Sequence, residues 1–124
     1  MSSAAVEGSS GVYNIVDSDN GVHYMRLMIE TRQTETFTAW FANLCDVTAR
    51  KRIANRIAMV RIGHFGDVKS VGDKVSELRI DHGPGYRVYF TRRGAEVIIL
   101  LVGGDKDSQA RDIVKAKEIA AALE

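Results

Sequence analysis

At 124 residues, with 45% hydrophobic and 27% charged residues, the chain fits one globular domain and excludes a disordered or fibrous protein. Its longest apolar run, Val97 to Val102, is far short of the roughly 20 residues of a membrane-spanning helix, and its single cysteine, Cys45, excludes an internal disulfide or a zinc site of paired cysteines. The formal charge of +1 is uneven: the first 22 residues hold three of the 16 acidic residues and none of the 17 basic ones, so the remainder is mildly basic, which suits a nucleic acid or an acidic partner.

Residues 1–22 are rich in Ser, Gly, Asp and Asn and lack sustained periodicity. They are expected to form a flexible extension ahead of one domain over 23–124. With no basic segment before an apolar one, nothing marks the chain for export, and a cytoplasmic site is expected. The alternation from Tyr24 to Thr31 predicts a first strand. Thr34 is placed to cap a helix whose Phe37, Trp40, Phe41 and Leu44 fall on one stripe. Cys45 then reads as a small core residue. Thr48 is expected to cap a second helix, with Ile53, Ile57 and Val60 inward and Arg50, Lys51, Arg52 and Arg56 around the rest, ending at Gly63.

Gly63 to Gly72 reads as a surface loop. Val75 to Asp81 and Tyr86 to Arg92 alternate around the His82-Gly83-Pro84-Gly85 turn and predict a hairpin, with Tyr86 inward and Tyr89 outward. The continuous apolar run from Glu96 to Val102 predicts a strand inside the sheet. Gly103 and Gly104 close it, Asp107 or Ser108 caps a last helix, and Ile113, Ala116, Ala120 and Leu123 share one face. The fold class is α+β: a curved antiparallel sheet of about four strands, two N-terminal helices and one C-terminal helix.

Four stretches in order carry a resemblance. They are Met28 to Thr34 before the aromatic helix, His64 to Lys69 with Val71 and Gly72, Val75 to Ile80 with Gly83 to Phe90, and Leu100 to Lys106 with the Ala-rich last helix. Across residues 25–124 the chain resembles the RelE/ParE toxin superfamily, in its addiction-module killer, HigB-like and phage-derived branch. The resemblance implies a RelE-like fold and the toxin of a type II toxin–antitoxin pair. It implies a cognate antitoxin protein encoded nearby, and a target that is either messenger RNA on the ribosome, cut without metal, or DNA gyrase. A catalytically inactive RNA- or protein-binding module remains a third reading, since fold does not fix function.

Cutting RNA through its own 2′-hydroxyl needs a base, an acid and positive charge at the phosphorane. Arg79 matches the strand arginine that RelE-like toxins place at the scissile phosphate, and Arg87 shares its face across the hairpin. Lys106 corresponds to the basic position after the central strand, and His82 is the histidine best placed to titrate near neutrality. These four are the catalytic candidates. Lys69, Tyr89, Arg50, Arg52 and Arg56 are the RNA-binding candidates, Tyr89 by stacking on a base. The arginine flank of the second helix could equally receive an acidic antitoxin. His23 and His64 have no convergent ligands, so neither metal nor cofactor is expected.

Overall fold

The computed structural model describes residues 12–17, 21–26 and 28–123. Two antiparallel strands, β1 (Val12–Asp17) and β2 (Gly21–Arg26), form a sheet of their own, with Val12 opposite Arg26 and Asp17 opposite Gly21. This corrects the expectation of one strand over Tyr24 to Thr31 and of an unpatterned start. The Asp-Ser-Asp-Asn-Gly sequence at 17–21 is hairpin chemistry between two β-rich runs. The expected flexibility of residues 1–11 and 18–20 lies outside the described residues.

A five-stranded sheet follows, in the order β3 (Glu30–Gln33), β7 (Val97–Asp105), β6 (Tyr86–Arg93), β5 (Val75–Ile80), β4 (Val68–Gly72). The mixed α+β architecture is the one the sequence implied, with a fifth strand. Lys69 accordingly lies on edge strand β4, where a loop was expected. Strand β3 pairs parallel with β7, and every other pair is antiparallel. As expected, β7 lies inside the sheet, between β3 and β6.

Helices α1 (Glu35–Ala42) and α2 (Val47–Arg61) cover one face of the sheet and α3 (Gln109–Ala122) covers the other. On the first face Phe37, Ile53 and Val60 pack on Leu78, Ile80, Val88, Phe90, Ile98 and Leu100, with Trp40, Phe41 and Leu44 against them. Full burial of a side chain such as Phe37 stabilises the fold by about 1.5–3 kcal/mol. On the second face Ala116 and Ala120 pack on Val75, Tyr89, Leu101 and Val102. Leu123, expected on that stripe, is largely exposed.

Thr34 caps α1 as the sequence indicated, accepting from the Phe37 N–H at 3.1 Å. The cap of α2 is Asp46, which accepts from the Ala49 N–H at 3.0 Å, and Thr48 sits inside the helix instead. Cys45 stands exposed between the two helices, so the expectation of a core thiol is overturned. The early end of α1 at Ala42 takes it off the buried stripe.

Two glycines are required where β7 ends. A Cβ on Gly103 would overlap the Trp40 ring on one face, and a Cβ on Gly104 would overlap the Asp112 carboxylate on the other. Helices on both faces thus approach the strand at consecutive residues, which only glycine permits.

Candidate phosphate-binding groove

The β5–β6 hairpin sets Arg79 directly opposite Arg87, and β6 sets Arg87 opposite Gly104. All three lie on the α3 face. Lys106, just beyond β7, completes an open groove with these two arginines, bordered by Asp67, Asp81 and the Gly83-Pro84-Gly85 turn. Gly85 has a positive φ of 82°, and a Cβ there would stand in ordinary contact with Arg87 Nη1 at 3.4 Å and the Lys106 Cβ at 3.5 Å. The turn thus lies beside both cations, and its left-handed backbone at this position favours glycine. Three of the four catalytic candidates, Arg79, Arg87 and Lys106, meet here.

The two arginines differ in exposure. The Arg79 side chain is 42% exposed and the Arg87 side chain 9%. Arg87 donates through Nη1 to the carbonyls of Gly85 at 3.1 Å and Tyr86 at 3.3 Å. Its Nε is buried without a hydrogen-bond partner among the described residues. Asp67 approaches Arg79 at 4.0 Å on the open side, a weak, solvated contact that an incoming anion can displace.

Beneath both arginines lies Glu77, 1% exposed. Its Oε1 stands 3.9 Å from Arg79 Nε and 3.7 Å from Arg87 Nε, charge pairing at distances too long for hydrogen bonds. Its Oε2 accepts from the Tyr89 hydroxyl at 2.9 Å and from the Gln109 amide at 2.6 Å. Burial, followed by the hydrogen bond to Glu77 and its charge, pushes the Tyr89 hydroxyl far above the ordinary phenol range, so it remains a donor. Nearby, Ser108 donates to Asp112 at 2.5 Å within the start of α3 and accepts from the Asp105 N–H at 3.2 Å, which ties that start to the end of β7.

Tyr89, expected to stack on a base, is fully buried, and this overturns its assignment as an RNA contact. The inward choice, Tyr86, is the half-buried one. It stacks on His82 at 6.4 Å and meets Trp40 edge-on at 6.3 Å. Both sheet faces are covered, so alternation alone could not tell the solvent side from the second core. Burial first, then the charges of Asp46 and Asp105, raise the Tyr86 pKa.

His82 faces away from the groove, its Nε2 3.2 Å from Asp46 Oδ2. The Ala49 backbone N–H chiefly, and His82 next, hold the Asp46 carboxyl below its ordinary value. Lys69 stands across from Glu77 on the edge strand and is exposed. Arg50 lies over the Phe41 ring at 5.7 Å, and Arg52 is exposed. Arg56 is structural. Its guanidinium donates to the carbonyls of Arg79 at 2.5 Å, Phe65 at 2.8 Å and Asp67 at 3.2 Å, so it is not a free RNA or partner contact.

Sequence reasoning missed the contact of Glu77 with Gln109 and that of Asp46 with His82. Glu77 and Gln109 are 32 residues apart and Asp46 and His82 are 36 apart, so no local spacing joins them. Among the described residues no group of three or more His, Cys, Asp or Glu is arranged to hold a metal ion, and no helix is long and apolar enough to cross a membrane. Chemically, the groove can receive a doubly coordinated phosphate oxygen at two guanidinium groups with an ammonium beside it.

A family model described as phage derived protein Gp49-like (DUF891) matches residues 39–124. An uncharacterized protein of Haemophilus influenzae is 44% identical over 97 residues, covering 78% of this chain and 98% of its own. No solved structure matches.

Proposed function

The chain belongs to the phage-derived Gp49-like family, and we propose that it is a toxin of the RelE/ParE type, in the killer or HigB-like branch, that cuts messenger RNA on the ribosome. The observation that carries this reading is the convergence of Arg79, Arg87 and Lys106 in one groove, from three segments of the chain. The RNA's own 2′-oxygen attacks the adjacent phosphorus and the 5′-oxygen leaves, giving a 2′,3′-cyclic phosphate and a 5′-hydroxyl. Arg79 and Lys106 meet the non-bridging oxygens from the open side, and Arg87 supports them from below. Their share is stabilisation of the dianionic phosphorane. Alignment of the 2′-oxygen falls to the ribosome, and silence in the host falls to an antitoxin encoded beside the gene.

Induction of the chain in a bacterium, with primer extension on transcripts and a supercoiling assay in parallel, tests the reading. New 5′ ends inside translated codons are expected. Intact messages with altered DNA supercoiling would transfer the protein to gyrase inhibition. Growth arrest should disappear when the neighbouring small reading frame is co-expressed.

A further inference from the structure

We propose that Glu77 is the positioning residue of the groove: its buried carboxylate holds the Arg79 and Arg87 guanidinium groups in place for a phosphate, without touching the phosphate itself. This rests on the ribonuclease reading for its catalytic consequence, though the placement of the two arginines stands apart from it.

Three observations combine. Glu77 is 1% exposed and sits where only an interior partner can reach it. Its two oxygens divide their work, since Oε2 is fixed by Tyr89 at 2.9 Å and Gln109 at 2.6 Å while Oε1 is left to the arginines at 3.7 and 3.9 Å. Arg87, buried itself, keeps an Nε with no hydrogen-bond partner among the described residues. A buried cation needs a counter-charge, and Glu77 supplies it at a distance that stops short of capturing the donor. The guanidinium groups are thereby ordered, and Arg79, 42% exposed, keeps its donors open to an anion.

A counter-charge also opposes anion binding, and this gives the proposal its distinguishing sign. Replacing Glu77 by Gln removes a negative charge beneath the groove, so simple attraction for phosphate rises. The same change releases the guanidinium groups, so stabilisation of the phosphorane falls. Binding and turnover should therefore move in opposite directions. A residue that merely held the fold would weaken both together.

The test uses the full chain, isotope-labelled, with the Nε–H resonances of Arg79 and Arg87 followed through hydrogen exchange and through titration with inorganic phosphate. In E77Q the Arg87 Nε–H should exchange roughly tenfold faster or more, phosphate should bind more tightly, and turnover on programmed ribosomes should drop at least roughly tenfold with KM unchanged or lower. That loss is smaller than the roughly 10² to 10³ of a direct donor. Unchanged exchange and phosphate affinity, or turnover and KM deteriorating together, would overturn the assignment.

Tyr89→Phe and Gln109→Ala keep the charge and loosen its support, so they serve if E77Q does not fold. Several-fold faster Arg87 exchange with unchanged phosphate affinity is expected in both, and wild-type exchange in both would count against Glu77. If the wild-type chain cuts no RNA but its arginine signals behave as described, the ribonuclease reading fails and the positioning role stands.

Discussion

Arg56 and Arg79 lie beside the same loop, and their neighbours give them opposite tasks. Arg56 is consumed by three backbone carbonyls, including that of Arg79, and so fixes the strand that carries the groove. Net of exchange with water, a hydrogen bond from a charged donor contributes about 1.5–3 kcal/mol, and carbonyls freed near the surface regain part of that from solvent. Arg56→Ala is therefore expected to lower the unfolding free energy by about 2–3 kcal/mol in urea titration. An unchanged midpoint and slope would show that those carbonyls find other donors. Arg79, by contrast, has its head at the open side and no hydrogen bond from its guanidinium among the described contacts. Arg79→Ala should change stability by no more than about 1 kcal/mol while slowing cleavage by roughly 10² to 10³. Full toxicity in that variant would remove Arg79 from the site.

At the scale of elements, α2 begins at a carboxylate that also meets the β5–β6 turn, since Asp46 both caps the helix and faces His82. The Ala49 N–H chiefly, and His82 next, hold the Asp46 carboxyl below the ordinary value of 3.8. A depressed carboxylate contributes stability that is fully present above the unfolded value and is lost as pH falls through the folded one. Asp46→Ala should then lower Tm at neutral pH, and the gap to wild type should close as pH falls below about 3.8. A gap that stays constant from neutral pH to pH 2 would exclude the ionised cap as its source. The same elements mark how far the sequence could be read. Thr34 and the stripe Phe37, Trp40, Phe41, Leu44 lie within ten residues of one another, so local periodicity found the helix and its face. The Gly-Pro-Gly turn likewise fixed the hairpin, and with it the pairing of Arg79 with Arg87. Tyr89 and Tyr86 were interchanged because α3 returns from the far end of the chain to cover the face that alternation had assigned to solvent. Arg56 and Glu77 look like ordinary surface charges until the loop after α2 and the start of α3 close over them.

Across the whole molecule, the boundary between the β1–β2 hairpin and the five-stranded sheet can be drawn from contacts. The hairpin strands pair with each other and the larger sheet starts at β3. The fold makes its first strong demand on the chain at Met28 and Ile29. Arg61 donates to the Met28 sulfur at 3.9 Å, and the Ile29 N–H donates to the Arg61 carbonyl at 2.6 Å. The Ile29 side chain is 5% exposed in the core beneath α2. These contacts tie the end of α2 to the entry of β3, next to the ladder that β3 forms with β7. A chain started at Met28 retains all of them and every residue of the groove. It is expected to unfold within roughly 0.5 kcal/mol of the full chain, the range of changes that leave buried contacts intact, and to arrest growth as the full chain does. In the same truncated background Ile29→Ala should cost about 2–5 kcal/mol, because it removes a buried branched side chain. Comparing the urea midpoints of the full and truncated chains checks the boundary directly: a truncation that costs as much as Ile29→Ala would mean that the hairpin is part of the domain's core.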